Sequence, residues 1–99
     1  MNNFEGHIKG EKPVLVDFFA EWCVPCKMMT PVLHEVKQHI GDRVTVLKMD
    51  IDKNPYYSQL YNIQAVPALI LFKNGNIIWR KNGLAPAHEI LHHLKTHIA

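Results

Sequence analysis

Apolar positions follow two spacings along this chain, and the switches between them outline its elements. After Pro13, the run "VLVDFFA" is almost wholly apolar and rich in β-branched and aromatic residues, which predicts a strand buried on both faces. From Pro25, Met28, Met29, Val32, Leu33, Val36 and Ile40 recur at helical spacing until Gly41-Asp42 ends the helix. Pro31 falls inside that helix and predicts a kink. "RVTVLKMD" predicts a second strand. Asn54-Pro55 pairs an N-cap residue with a proline at the first helical position and opens a short helix, "YYSQLYNI". "ALILF" and "NIIWRK" flank Lys73-Asn74-Gly75, a hairpin signal. Pro86 starts a last helix whose Ile90, Leu91, Leu94 and Ile98 form one apolar stripe. From Pro13 the order is β-α-β-α-β-β-α. The β-α-β crossover makes the first two strands parallel and the hairpin adds an antiparallel pair, so one mixed sheet with helices on both faces is the simplest packing. The α/β reading treats residues 1–99 as a single domain, with no repeat or linker.

Composition narrows the function classes. A chain of 99 residues with 47% apolar and 20% charged side chains can bury a core without disulfide staples. The net charge of +2 is scattered, and no Lys/Arg cluster interleaves with aromatics, which argues against nucleic acid as a partner. No run approaches the ~20 apolar residues of a membrane span. "MNNFEGHIKGEK" has neither an apolar core nor a cleavage site of a secretory signal, so a cytoplasmic protein is expected. In that compartment a lone C-x-x-C points to redox or metal chemistry before structural cross-linking.

Cys23 and Cys26 are the only cysteines, in the loop between the first strand and the long helix. Residues three apart at a helix start stand one above the other, with Cβ atoms roughly 5–6 Å apart, so a disulfide can open and close with little movement elsewhere. Free backbone N–H groups and the positive dipole end favour a thiolate at Cys23, while Cys26 lies inside the first turn and is expected to be shielded. That asymmetry suggests Cys23 attacks and Cys26 resolves. Two inert buried thiols are the plainer alternative. Structural zinc is another, because Cys23, Cys26, His34 and His39 spell C-x2-C-x7-H-x4-H, although the seven-residue gap is short for a finger. Asp17 interrupts the first apolar strand, where an ionised carboxylate needs a partner or a raised pKa. Val66-Pro67 directly before a strand marks a special turn.

"VDFFAEWCVPCKMMTPVL", "DIDKNP", "VPALILFKNG" and "NGLAP", in this order and at these separations, resemble the thioredoxin family over nearly the whole chain. The resemblance implies a thioredoxin fold with a central sheet of about four strands. Only 22 residues precede Cys23, too few for the usual first strand plus helix, so a short helix near Asn3–Lys9 is expected without that strand. "VTVLKM" then becomes an exposed sheet edge. The resemblance also implies a thiol–disulfide oxidoreductase with no cofactor beyond the cysteine pair. Its partners are disulfide-containing client proteins, and an NADPH-dependent flavoprotein reductase recharges it. Asp17, with Lys48 beside it, is implied to help deprotonate Cys26. Pro67 is implied to be cis against the cysteines, with the Val66 backbone pairing to an extended substrate segment. Trp22, Val24, Pro25, Val66, Gly83 and Leu84 form the implied substrate rim.

Four positions depart from the family pattern: Val24 for a common glycine, Phe19 for tryptophan, Ala68 for threonine and Asn82 for an apolar rim residue. They bear on substrate choice more than on chemistry. Val24-Pro25 brings no positive charge to the cysteines, which favours a reductase over an oxidant or isomerase. A binding scaffold is the alternative outside enzymes. Seven histidines include the i,i+4 pairs His88/His92 and His93/His97 on the last helix, read as a solvated face with no metal site.

Overall fold

The computed structural model describes residues 3–98. Its elements in chain order are α1 (Asn3–Ile8), β1 (Val14–Phe19), α2 (Val24–Ile40), a 3-10 turn (Gly41–Arg43), β2 (Thr45–Asp50), α3 (Pro55–Leu60), β3 (Ala68–Lys73), β4 (Asn76–Asn82) and α4 (Ala87–Ile98). The four strands form one sheet in the order β2-β1-β3-β4, with β1 parallel to β2 and antiparallel to β3, and β4 antiparallel to β3. This is the mixed α/β sheet that the hydrophobic pattern predicts.

β1 and β3 are central, so every side chain on them meets a layer, and both read as unbroken apolar runs. On one face Leu15, Leu69 and Leu71 pack against Met29, Leu33, Val36 and Ile40 of α2 and Ile90, Leu91 and Leu94 of α4. On the other, Val16, Phe18, Ile70 and Phe72 pack against Phe4 and Ile8 of α1 and Tyr57 of α3. The turn after β3 has Asn74 at φ 54° and Gly75 at φ 81°, the left-handed pair that a two-residue hairpin demands.

β2 is an outer strand, as the short N-terminus led us to expect. Among the described residues no strand precedes β1, and α1 covers the far face instead of extending the sheet. The edge is blunted at both ends. Lys37 Nζ donates to the Gly41 and Val44 carbonyls, each at 2.9 Å, and Asn54 Nδ2 donates to the Asp50 carbonyl at 2.9 Å.

Three local expectations need correction. Asn54 occupies the N-cap of α3, but its side chain makes no capping bond because it donates to Asp50 instead. Met28 belongs to the helical period of α2 yet points outward, 57% exposed, since the core-facing stripe runs through Met29, Leu33, Val36 and Ile40. His93 is half-buried rather than solvated, with its ring stacked on Trp79 at 4.9 Å between centroids. Pro31 lies within α2, which remains one helical element across it.

Candidate active site

β1 ends at Phe19 and α2 begins at Val24, so the cysteines occupy the seam between a buried strand and a helix start. Cys23 is the N-cap residue of α2, in extended conformation, and its Sγ accepts the backbone N–H of Cys26 at 3.2 Å. A sulfur thus takes the place of the usual capping oxygen and answers one of the helix's unpaired donors. Pro25 follows in the first turn, where its missing N–H costs nothing. Cys23 and Cys26 are joined as a disulfide, with Cα atoms 5.3 Å apart. The spacing therefore places the two sulfurs in bonding reach. Their overall exposure does not separate them: both residues are nearly buried, at 4% and 3%. They differ in surroundings, because Cys23 Sγ caps the helix and lies 3.6 Å from the Val66 carbonyl oxygen.

Val66 reaches that position from the loop before β3. The Val66–Pro67 peptide is cis. Pro67 is buried, and its carbonyl accepts the Gly83 N–H at 2.8 Å. Gly83 has φ 88°, a left-handed conformation, and a Cβ placed on it would meet nothing within 4 Å, so the space over it is open to another chain. Around the disulfide stand Trp22, 69% exposed, and Val24, 64% exposed, with Leu84 and Pro25 also exposed. Met28, Val32, Leu84, Ala85 and Pro86 line a shallow apolar groove that continues this rim. Trp22 is steadied by a hydrogen bond from its Nε1 to Asp52 Oδ2, 2.9 Å, and the turn carrying Asp52 is itself held by Asp50 Oδ1, which accepts the Asp52 and Lys53 N–H groups.

Asp17 and Lys48 face each other in the β1–β2 register. Asp17 is fully buried, and neither carboxyl oxygen has a hydrogen-bond partner. Burial pushes its pKa up to about 6, against the opposing pull of the Lys48 ammonium. Lys48 Nζ donates to Thr30 Oγ1 at 3.4 Å and lies 4.8 Å from the centre of the Phe19 ring, a cation–π contact. Phe19, Cys26, Thr30 and Lys48 line a cleft of about 400 Å³ beside the disulfide. The site residues named from the sequence therefore fall into two groups: Trp22, Cys23, Val24, Pro25 and Val66 around the disulfide, with Pro67, Gly83 and Leu84 adjoining, and Asp17 paired in register with Lys48, which shares a cleft with Cys26. Sequence reasoning missed Met28, Thr30 and Asp52. Met28 was hidden by its helical period; Thr30 and Asp52 lie within quoted motif stretches, but their partners Lys48 and Trp22 are met only in three dimensions. Among the described residues no three His, Cys, Asp or Glu side chains gather as a metal cluster, and no helix is long and apolar enough to cross a membrane.

An N-cap cysteine bonded to a cysteine one turn on, at the end of a central strand, defines a protein that makes and breaks a disulfide on a mixed α/β sheet. The chain belongs to the thioredoxin family, whose family model, described as Thioredoxin, matches residues 1–96. A thioredoxin of Alicyclobacillus acidocaldarius is 46% identical over 88 residues, covering 89% of this chain and 84% of that one. A thioredoxin-like protein of Synechocystis is 41% identical over 97 residues, covering 97% and 92%. The chloroplastic thioredoxin Y of rice is 43% identical, but the chain spans only 52% of its length. Among solved structures, a Malassezia sympodialis thioredoxin superposes with a TM-score of 0.87 at 35% identity, covering 97% of this chain and 86% of that one. A C-x-x-C pair able to form a disulfide, in this family, makes the protein a thiol–disulfide oxidoreductase acting on disulfide-containing substrates.

Proposed function

We propose that the protein works as a disulfide reductase of partner proteins. The observation that carries this reading is Cys23 Sγ as the cap of α2, accepting a helix N–H beside the Val66 backbone. In the reduced protein that N–H and the dipole of a 17-residue helix favour the Cys23 thiolate. The thiolate attacks one sulfur of a partner disulfide, and the partner's other sulfur leaves as a thiolate that takes up a proton. The Cys26 thiol gives its proton to Asp17 through a bridging water, and the Cys26 thiolate attacks Cys23 Sγ. The partner's second sulfur departs, two electrons have passed to the partner, and the Cys23–Cys26 disulfide remains. A carboxylate with pKa about 6 suits this proton transfer near neutral pH better than one at 3.8.

Trp22, Val24, Pro25, Gly83 and Leu84 bind the partner as an apolar rim, and Val66 pairs with its backbone as an added strand. Pro67 holds that backbone against the cysteines. No cofactor takes part, and an NADPH-dependent thioredoxin reductase returns the pair to the dithiol in the cytoplasm. The lack of a cation in the Val24-Pro25 dipeptide supports the reducing direction.

Equilibration in graded thiol–disulfide buffers, with trapping of free thiols, tests the direction. A Cys23–Cys26 potential near about −270 mV is expected. A value of about −120 to −180 mV would make the protein an oxidant or isomerase instead. Cys26→Ser is expected to stall as a mixed disulfide between Cys23 and client protein, and Cys23→Ser to yield none. Clients retained by the Cys23→Ser/Cys26→Ser double variant through non-covalent contact alone would favour a scaffold.

A further inference from the structure

The loop that carries Val66 is pinned to β4 at two points, and one of them is a side chain that the reaction scheme above does not use. At one end, Gly83, directly after β4, donates its N–H to the Pro67 carbonyl at 2.8 Å. At the other end stands Arg80. It lies opposite Ile70 in the β3–β4 register, and cross-strand partners share a face, so Arg80 projects toward the α1 and α3 side of the sheet. Its guanidinium donates from one terminal nitrogen to the Tyr61 carbonyl at 2.5 Å and from the other to the Asn62 carbonyl at 2.9 Å.

Those two carbonyls mark the exit of α3. The helix closes with Asn62 at φ 54°, the Ile63 N–H on the Ser58 carbonyl at 2.8 Å and the Asn62 N–H on the Gln59 carbonyl at 3.1 Å. This Schellman closure answers carbonyls inside the helix and leaves those of Tyr61 and Asn62 to be met from outside. Arg80 meets both with a planar fork, which fixes orientation as well as position. Residues 63–66 then hang between two anchors on one strand.

We propose that Arg80 is the positioning residue that holds the Val66 backbone in register for an incoming substrate strand, and so selects protein disulfides over small ones. This rests on the reductase reading of the site. A protein substrate that pairs along Val66 needs the loop preformed, whereas a small aromatic disulfide needs only Cys23. Arg80 touches neither substrate nor sulfur and acts through the loop.

The test uses the full chain with Arg80→Met, which keeps the apolar stem, and Arg80→Lys, which keeps the charge without the fork. Dithiothreitol supplies the electrons for insulin reduction, and the small-disulfide rate is read as a single turnover of the reduced protein, freed of dithiothreitol, with 5,5′-dithiobis(2-nitrobenzoate). For Arg80→Met the KM for insulin is expected to rise about tenfold, with kcat and the small-disulfide rate held within about twofold. Arg80→Lys is expected to restore part of the loss. Amide exchange at residues 63–66 is expected to quicken while β3 is unchanged. An unaltered insulin KM, an equal fall on both substrates, or unaltered exchange at 63–66 overturns the proposal. If Arg80→Met does not fold, Arg80→Lys is judged on the same readouts. A wild-type chain that reduces neither substrate sinks the reductase reading, and the exchange measurement then decides by itself whether Arg80 holds the loop.

Discussion

Asp17 shows how much one side chain can weigh. It is fully buried without a hydrogen-bond partner, and its carboxyl titrates at about 6 rather than 3.8. Well below pH 3.8 it is protonated in both the folded and unfolded chain, and its ionisation has no bearing on stability. Between 3.8 and about 6 the unfolded chain ionises first, so stability falls as pH rises, and the loss is complete above 6. The gap corresponds to about 3 kcal/mol. Asp17→Asn is therefore expected to raise the stability of the oxidised protein at pH 7.5 by up to about 3 kcal/mol, with no gain at pH 3.5, as read by urea unfolding at both pH values. The same variant is expected to release the mixed disulfide more slowly, because in the proposed mechanism Asp17 is the base for Cys26. A gain in stability accompanied by a loss of turnover is the signature of a group kept for chemistry. The position of this residue was legible from the sequence, since a lone acid in "VLVDFFA" has nowhere wet to go. Its lack of a direct partner was not. Lys48 lies beside it in register, but its ammonium is drawn to Thr30 and the Phe19 ring, residues that no motif links to it.

At the scale of elements, the edge of the sheet depends on how α2 and β2 end. Gly41 takes φ 60° and closes α2, and Lys37 reaches back from the last turn to bond the Gly41 and Val44 carbonyls. That one ammonium ties the helix terminus to the start of the edge strand. Lys37→Met keeps the apolar stem and removes the donor from both carbonyls, and a loss of about 1 kcal/mol in unfolding free energy is expected in urea. The disulfide potential should stay unchanged, because the cysteines lie at the opposite end of α2. The end of α2 was marked in the sequence by Gly41, and the start of α3 by Asn54. Their bonding was not: Asn54 serves the edge of β2 rather than its own helix, because the Asp50 carbonyl faces it across the turn.

Taken as a whole, the molecule has two unequal half-cores on one sheet. The face under α2 and α4 is served by two long helices, whereas the other depends on two six-residue helices. There Phe4 touches Tyr57, Tyr61 and Phe72, with ring centroids 4.7, 6.4 and 6.2 Å away. Tyr57 also donates to Glu5 Oε1 at 2.9 Å, binding α1 to α3. Phe4→Ala is expected to cost about 3 kcal/mol in urea unfolding, since the small α1 cannot collapse onto the gap. Amides of α3 should exchange faster than those of α2 in that variant. The loop to Val66 leaves from α3, so this aromatic cluster supports the Val66 side of the disulfide from below.

By itself the sequence determined the order of elements, the mixed sheet, the hairpin at Asn74-Gly75 and the placement of two cysteines at a helix start. Each follows from local chemistry: periodicity, turn residues with positive φ, and the separation of neighbours along a helix. Tertiary structure alone decided what each polar side chain faces. Met28 turns outward because the sheet lies under Met29, and His93 is half-buried because Trp79 crosses beneath it. Arg80 reads in sequence as a charge on an outer strand, yet across 18 residues it clamps the end of α3. Such partners come from packing two layers against a sheet, and spacing along the chain does not encode a meeting between residues that approach only when those layers close.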